Sequence, residues 1–218
     1  YHATHAVQES NISQVTLPIN TALVDSTLQA WQTAVHTVVM DEFDIASWYK
    51  QKNINWVLLQ AMLATRVEFP KLFARICTKR EVFLLDEACH IALPIFRQSH
   101  TQIAVLRDVH DMDETSFMAK LDALKQESAV HEDIRDAHTI LSNVGAYGGR
   151  FATPLCMPPV LSTLAVGRAR LRPFVRDGDV VATTLLPVSF AADHRYIDGA
   201  ELVAAMQYLG SFLSNYRV

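Results

Sequence analysis

The chain has 218 residues, 50% of them hydrophobic, which is enough for one well-buried core. Its 19 basic and 23 acidic residues leave a formal net charge of −4, so it carries no footprint for nucleic acid or for an anionic membrane. No apolar run reaches the ~18–20 residues of a membrane span. The three cysteines form no C-x-x-C pair, which argues against a zinc site or disulfide framework and for a reducing compartment.

In chain order, short alternations between His2 and Val15 suit an opening strand. Leu28, Trp31, Val35 and Val38 recur at helical spacing and predict an amphipathic helix over Asp25 to Val39, capped by Asp25 or Ser26. Asn53 to Phe69 is the most apolar helix candidate, ended by Pro70. Arg80 to Leu85, Cys89 to Phe96 and Ile103 to Leu106 read as strands, the last of the buried type. Asp113 to Ala129 reads as a helix with Phe117, Leu121 and Leu124 inward. Thr139 to Ser142 reads as a strand and Gly145 to Gly149 as a turn. Val160 to Val166 and Val180 to Phe190 are strand-rich, and Asp177-Gly178 signals a hairpin. Gly199 to Tyr216 closes the chain as a helix. With no repeats and no low-complexity tract, the pattern predicts one α/β domain with a mixed sheet over residues 1–218.

His194 and Asp198 stand four apart between an apolar strand and the last helix, where two rigid elements can fix a reactive side chain. A histidine titrates near ~6.5 and can take a proton at neutral pH. Asp198 before Gly199 suggests a tight turn held by a carboxylate. By itself the H-x-x-x-D spacing also suits a hydrogen-bonded histidine at a domain edge, and Ser142-Asn143 before glycines is ordinary turn chemistry.

Wider strings add to this. Asp193-His194-Arg195-Tyr196-Ile197-Asp198-Gly199-Ala200, followed by an apolar helix, resembles the signature of the E2 acyltransferases of 2-oxoacid dehydrogenase complexes, whose fold is that of chloramphenicol acetyltransferase. Ser142 to Gly149 resembles that family's Ser-Asn-x-Gly-x-x-Gly-Gly segment. Phe151 to Pro159 resembles its stretch ending in Pro-Pro. His2 to Ile12, Glu68-Phe69-Pro70, Val105 to Val109, Val166 to Ala169 and Pro187 to Phe190 fall where the family has similar strings. The resemblance covers nearly the whole chain and is most specific from Thr139 onward.

The resemblance implies a two-layer α/β sandwich that forms trimers, sometimes joined into cages. It implies transfer of an acyl group between a dihydrolipoyl thioester and coenzyme A, the lipoyl group being carried on a domain outside this chain, together with E1 and E3 partner components. A thiol of pKa about 8.5 must lose its proton; His194 matches the family's base. Attack builds an oxyanion that needs a preorganised donor; Ser142 matches the family's serine. Asp198 matches the family's Asp or Asn and is expected to hold the loop by pairing with an arginine, Arg195 being the candidate. In the family the site lies between subunits, so His194 and Ser142 would come from different chains. The expected compartment is the mitochondrial matrix or, alternatively, a bacterial cytoplasm. Met157-Pro158-Pro159 and Ser189 to Asp193 lean to the branched-chain type.

The sequence departs from the family at Gln98 to Thr101, which lacks Pro and Gly, at Ala104, where a proline is usual, and at Asp136-Ala137, where the family has Gly-Gly. Glycines there would allow close approach of a ligand, and Asp136 places negative charge where a phosphate-bearing cofactor would pass. This leaves two further readings: a structural E2-like scaffold with weak or no turnover, and a stand-alone small-molecule acetyltransferase. The second is disfavoured because Asp193 replaces the first histidine of that enzyme's His-His pair. The nine histidines show no metal-ligand spacing. Trp31, Trp48 and Trp56 suit core or subunit contact. Arg168, Arg170 and Arg172 would share one strand face, as a solvated edge, a subunit contact or a grip on cofactor phosphates.

Overall fold

The computed structural model describes residues 21–77, 82–97, 100–126 and 134–217. The opening strand expected between His2 and Val15 lies outside these residues, as do Arg80, Gln98, Ser99 and the end of the predicted Asp113–Ala129 helix.

A seven-stranded mixed sheet organises the chain, in the order β1 (His36–Asp44), β9 (Asp179–Asp193), β7 (Ser162–Val166), β6 (Thr139–Asn143), β4 (Ile91–Arg97), β5 (His100–Leu106), with β8 (Arg170–Arg176) pairing on the free half of β9. The β4–β6 and β6–β7 pairs are parallel and the others antiparallel. A separate two-stranded ribbon joins β2 (Arg75–Cys77) to β3 (Val82–Leu84). Helices α2 (Ile54–Glu68), α3 (Glu114–Gln126) and α4 (Gly199–Asn215) contribute to the main core, in which Leu58, Phe117 and Met206 meet Leu141, Leu164, Val188 and Phe190 from the sheet. Alternation along the strands places Ala92, Val105 and Ile140 on the opposite face, against Ala137 and Val160.

The predicted helices α2 and α4 form as their stripes dictate. Asn53 caps α2 through Asn55 N–H, and Leu202, Met206, Leu209 and Leu213 of α4 are buried. Trp48 is fully buried and its Nε1–H donates to the Leu213 carbonyl at 2.6 Å, which satisfies a group in the last turn of α4. The Asp177-Gly178 hairpin is present, with φ of 53° and 90° at the two loop residues, as a two-residue turn between twisted strands requires.

The helix expected over Asp25 to Val39 is corrected. Helix α1 runs Thr21–Thr33, with Asp25 and Ser26 inside it, and the chain from His36 becomes strand β1. Val35, Val38 and Val39 fit a helical spacing, but the run from Val35 to Val39 is rich in β-branched residues and pairs with the end of β9; sheet pairing overrides the local pattern. The inward residues of this segment are then Ala30 and Ala34, while Trp31 is 61% exposed. Arg168 also precedes β8, so only Arg170 and Arg172 share a strand face.

Candidate active site

His194 directly follows β9 in the turn that feeds α4. Its N–H donates to the Val35 carbonyl at 2.7 Å, fixing the turn against the start of β1. Its ring Nδ1 lies 3.0 Å from the Ile197 carbonyl. A carbonyl only accepts, so Nδ1 carries a proton, and in the neutral ring the lone pair is on Nε2. The residue is exposed. One end of the imidazole is anchored and the other is available as a base.

Beneath it lies Asp193, whose side chain is 1% exposed. Its carboxylate accepts from Val35 N–H (3.2 Å), Arg195 N–H (3.2 Å), Arg195 Nε (3.0 Å) and Arg195 Nη2 (2.6 Å). A buried carboxylate is tolerated when it is paired and its oxygens are filled, and this one ties both sides of the turn that carries His194. Arg195 is held above its usual pKa by the Asp193 hydrogen bonds. Nearby Cys156 is pushed up to about 12, by burial first and then by Asp193; its thiol stays protonated and is no nucleophile. Burial also raises Cys89, to about 11.

Asp198 does not pair with Arg195, contrary to expectation: the nearer, buried Asp193 takes that guanidinium. Asp198 is the N-cap of α4, accepting from Glu201 N–H at 2.8 Å. It fixes the helix start one residue after the carbonyl that orients His194.

Ser142 is the penultimate residue of β6. It is half-buried, and no hydrogen bond engages its Oγ among the described residues. The turn beyond it is tightly built. Asn143 Oδ1 accepts from Ala146 N–H at 3.3 Å, and its Nδ2 donates to Asn55 Oδ1. A Cβ at Gly145 would stand 2.5 Å from the Gly167 carbonyl, so only glycine fits. Arg168 donates to the Gly145 and Ala146 carbonyls at 2.9 and 3.2 Å, and Arg170 to the Gly148 carbonyl at 3.1 Å. These two arginines therefore brace the serine turn.

Ser142 and His194 do not meet within one chain. The register aligns Ser142 with Ala165, Ala165 with Ser189, and Asp193 with His36. Five residue steps along β9 lead from Ser189 to His194, roughly 17 Å of strand, and two strand spacings add roughly 10 Å sideways, giving a separation of about 20 Å. The two groups occupy opposite ends of the sheet.

The sequence did not single out Asp193 or Arg168 for these positioning roles. Asp193 has only its place in the string to mark it, and it is covered from Val35 and the start of β1, where the spacing predicts a helix as far as Val39. Where glycines were expected, Asp136 pairs with Arg107 at 2.9 Å and Ala137 is fully buried, so the negative charge of Asp136 is matched. Ala104 is buried in β5. No cluster of three or more metal-ligating side chains occurs among the described residues.

Comparison with known proteins gives the family and the fold. The family model for the 2-oxoacid dehydrogenases acyltransferase (catalytic domain) matches residues 9–218. The dihydrolipoyllysine-residue acetyltransferase component of the pyruvate dehydrogenase complex of Staphylococcus epidermidis is 25% identical over 234 residues, covering 98% of this chain and 54% of that one. Its counterpart in Buchnera aphidicola is 22% identical over 210 residues, covering 87% and 52%. The chain thus spans about half the length of these curated relatives. Among solved structures, Azotobacter vinelandii dihydrolipoamide acetyltransferase superposes with a TM-score of 0.84 at 19% identity, over 100% of this chain and 98% of that one. The cubic core of the pyruvate dehydrogenase multienzyme complex gives 0.80 at 20% identity, over 100% and 98%. Chloramphenicol acetyltransferase gives 0.55 at 15% identity, over 82% and 88%. The fold is that of chloramphenicol acetyltransferase, and the chain belongs to the 2-oxoacid dehydrogenase acyltransferase family, as its catalytic domain.

Proposed function

We propose that this domain transfers an acyl group between a dihydrolipoyl thioester and coenzyme A at a site shared by two copies of the chain. The observation that carries the reading is an anchored His194 whose Nε2 has no partner among the described residues, held about 20 Å across the same sheet from the Ser142 hydroxyl, which likewise has none among them. His194 of one copy takes the proton of the attacking thiol. The thiolate adds to the thioester carbonyl, and the oxyanion accepts a hydrogen bond from Ser142 Oγ of the next copy. Collapse expels the second thiolate, which takes the proton back from His194. Asp198 serves by fixing the turn. The residues whose catalytic role was investigated in the Azotobacter vinelandii enzyme are a serine, a histidine and an asparagine. They stand at the sequence separations of Ser142, His194 and Asp198.

A second copy also accounts for exposed apolar surface at both ends. Leu171, Val175 and Val180 (74% exposed) lie on the β8–β9 hairpin at the Ser142 end, and Leu28, Trp31 and Val35 lie at the His194 end. A head-to-tail contact repeated three times closes a ring, which we take as the trimer. E1 and E3 components are the partners of such a core. The relatives are bacterial, which favours the bacterial cytoplasm over the mitochondrial matrix. They are also acetyltransferases, so acetyl is the acyl group carried forward over the branched-chain lean.

The test mixes the assembled protein with dihydrolipoamide and acetyl-, succinyl- or branched acyl-CoA and follows thioester formation. Turnover is expected with acetyl-CoA; assembly without turnover or coenzyme A binding supports the scaffold reading. His194→Ala and Ser142→Ala are each expected to be inactive or nearly so, the serine variant by on the order of 10²–10³. Co-assembled in equal amounts, they should regain activity, since about a quarter of the sites in a closed ring combine an intact histidine with an intact serine. Failure to regain it would place both residues in one chain's site and overturn the shared geometry.

A further inference from the structure

Three histidines outside the catalytic turn share one unusual use. Each presents Nδ1 as an acceptor for a main-chain N–H: His110 for Cys89 at 3.2 Å, His138 for His90 at 2.9 Å, and His90 for Asp108 at 3.0 Å. Together these bonds tie residues 86–90 to the segments that follow β5 and precede β6. A neutral imidazole with its proton on Nε2 can accept in this way; an imidazolium has no lone pair and cannot. His138 is 1% exposed and its Nε2 donates to Asp86 Oδ2 at 2.8 Å, the oxygen that also receives Arg75 Nη2 at 2.6 Å.

Each histidine also has a carboxylate to turn to once charged. Asp86 faces His138, Asp108 Oδ1 lies 3.7 Å from His90, and Asp111 Oδ2 lies 3.4 Å from His110. The other charged groups around them are Arg75, Arg107 and Asp136, which line a cleft of about 260 Å³ with His90 and His138. Arg66 and Asp86 line a second pocket with His110. The tied segment leads out of β3, whose Phe83 meets the ring of Tyr196 edge-on at 6.0 Å, two residues after His194.

We propose that His90, His110 and His138 form an acid-released latch. Neutral, they clamp residues 86–90 to the sheet; protonated, they free three main-chain N–H groups together and loosen the β2–β3 ribbon against the catalytic turn. The sign follows from linkage. Burial lowers the pKa of His138 from its ordinary 6.5, so the folded state binds fewer protons than the open one below that pH. The latch is intact above the ordinary histidine range and weakens as pH falls through it.

Hydrogen-exchange mass spectrometry of the assembled protein between pH 7.5 and 5.5 tests this. After correction for intrinsic exchange, peptides covering 86–90 and 107–109 should lose protection as pH falls, the amide that His138 accepts most of all. Peptides from the core of β9 should not. In the double variant His90→Asn/His110→Asn, the asparagine oxygens accept without titrating, so the amides of Asp108 and Cys89 should stay protected at pH 5.5 while the amide at position 90, still bonded to His138, opens. Protection independent of pH in the unaltered protein, or equal loss in the double variant, overturns the latch. If the variant does not fold, imidazole ¹⁵N shifts of the unaltered protein decide: all three rings must carry the proton on Nε2 at pH 7.5, and one carrying it on Nδ1 overturns the proposal.

Discussion

The two ends of the sheet hold their reactive groups by different means. At the His194 end, bonds to Val35 and an ion pair on a buried carboxylate fix the turn, and the imidazole is aimed by a carbonyl three residues on. At the Ser142 end a glycine pressed against Gly167 and two arginines donating to main-chain carbonyls hold the serine turn. A base must keep one tautomer, and a charged anchor and a directed Nδ1 suit that. A hydroxyl donor needs only a fixed position, and steric contact suffices.

The sharpest way to break this contrast is Asp193→Asn. It keeps an oxygen for Val35 N–H but removes the charge that holds Arg195. The charge left behind belongs to Arg195, which is 40% exposed and can be solvated, so the loss should be that of weakened charge-assisted hydrogen bonds, about 1–2 kcal/mol. Thermal unfolding at fixed protein concentration measures it. A lower kcat should accompany it, with the peptide over 143–149 unchanged in hydrogen exchange. Disturbance at both ends would show that the ends are not independently built.

Gly145→Ala breaks the other end. The new Cβ meets the main-chain carbonyl of Gly167, which cannot rotate away, so the turn must shift at about 2 kcal/mol. Activity should fall through Ser142, and combining it with Ser142→Ala should add little further loss of turnover. Full additivity would mean that the glycine acts elsewhere.

The unequal legibility of the two ends has the same origin. The Ser142 turn is local: Ser-Asn-Val-Gly announces it, and the Asp177-Gly178 hairpin and the stripe of α4 are equally local signals that form as read. The His194 end depends on β1, more than 140 residues away in sequence, whose valines fit a helix as well as a strand until β9 pairs with them. Missing β1 hides the role of Asp193, since nothing then covers that carboxylate and Arg195 looks free for Asp198. The stripe of arginines misleads in a similar way: alternation was visible, but Arg168 lies before the strand and turns back onto Gly145.

The smallest effect decides what Asp198 does. As the N-cap of α4 it contributes about 1 kcal/mol, which Asp198→Ala should remove. Asparagine caps a helix as well as aspartate does, so Asp198→Asn should match the unaltered protein in stability. It should also match it in kcat, because the Nδ1 proton of His194 is taken by the Ile197 carbonyl and not by this carboxylate. If Asp198→Asn keeps its stability but loses turnover, the charge of Asp198 acts on His194 directly, and the catalytic turn is tuned by two carboxylates, not anchored by one.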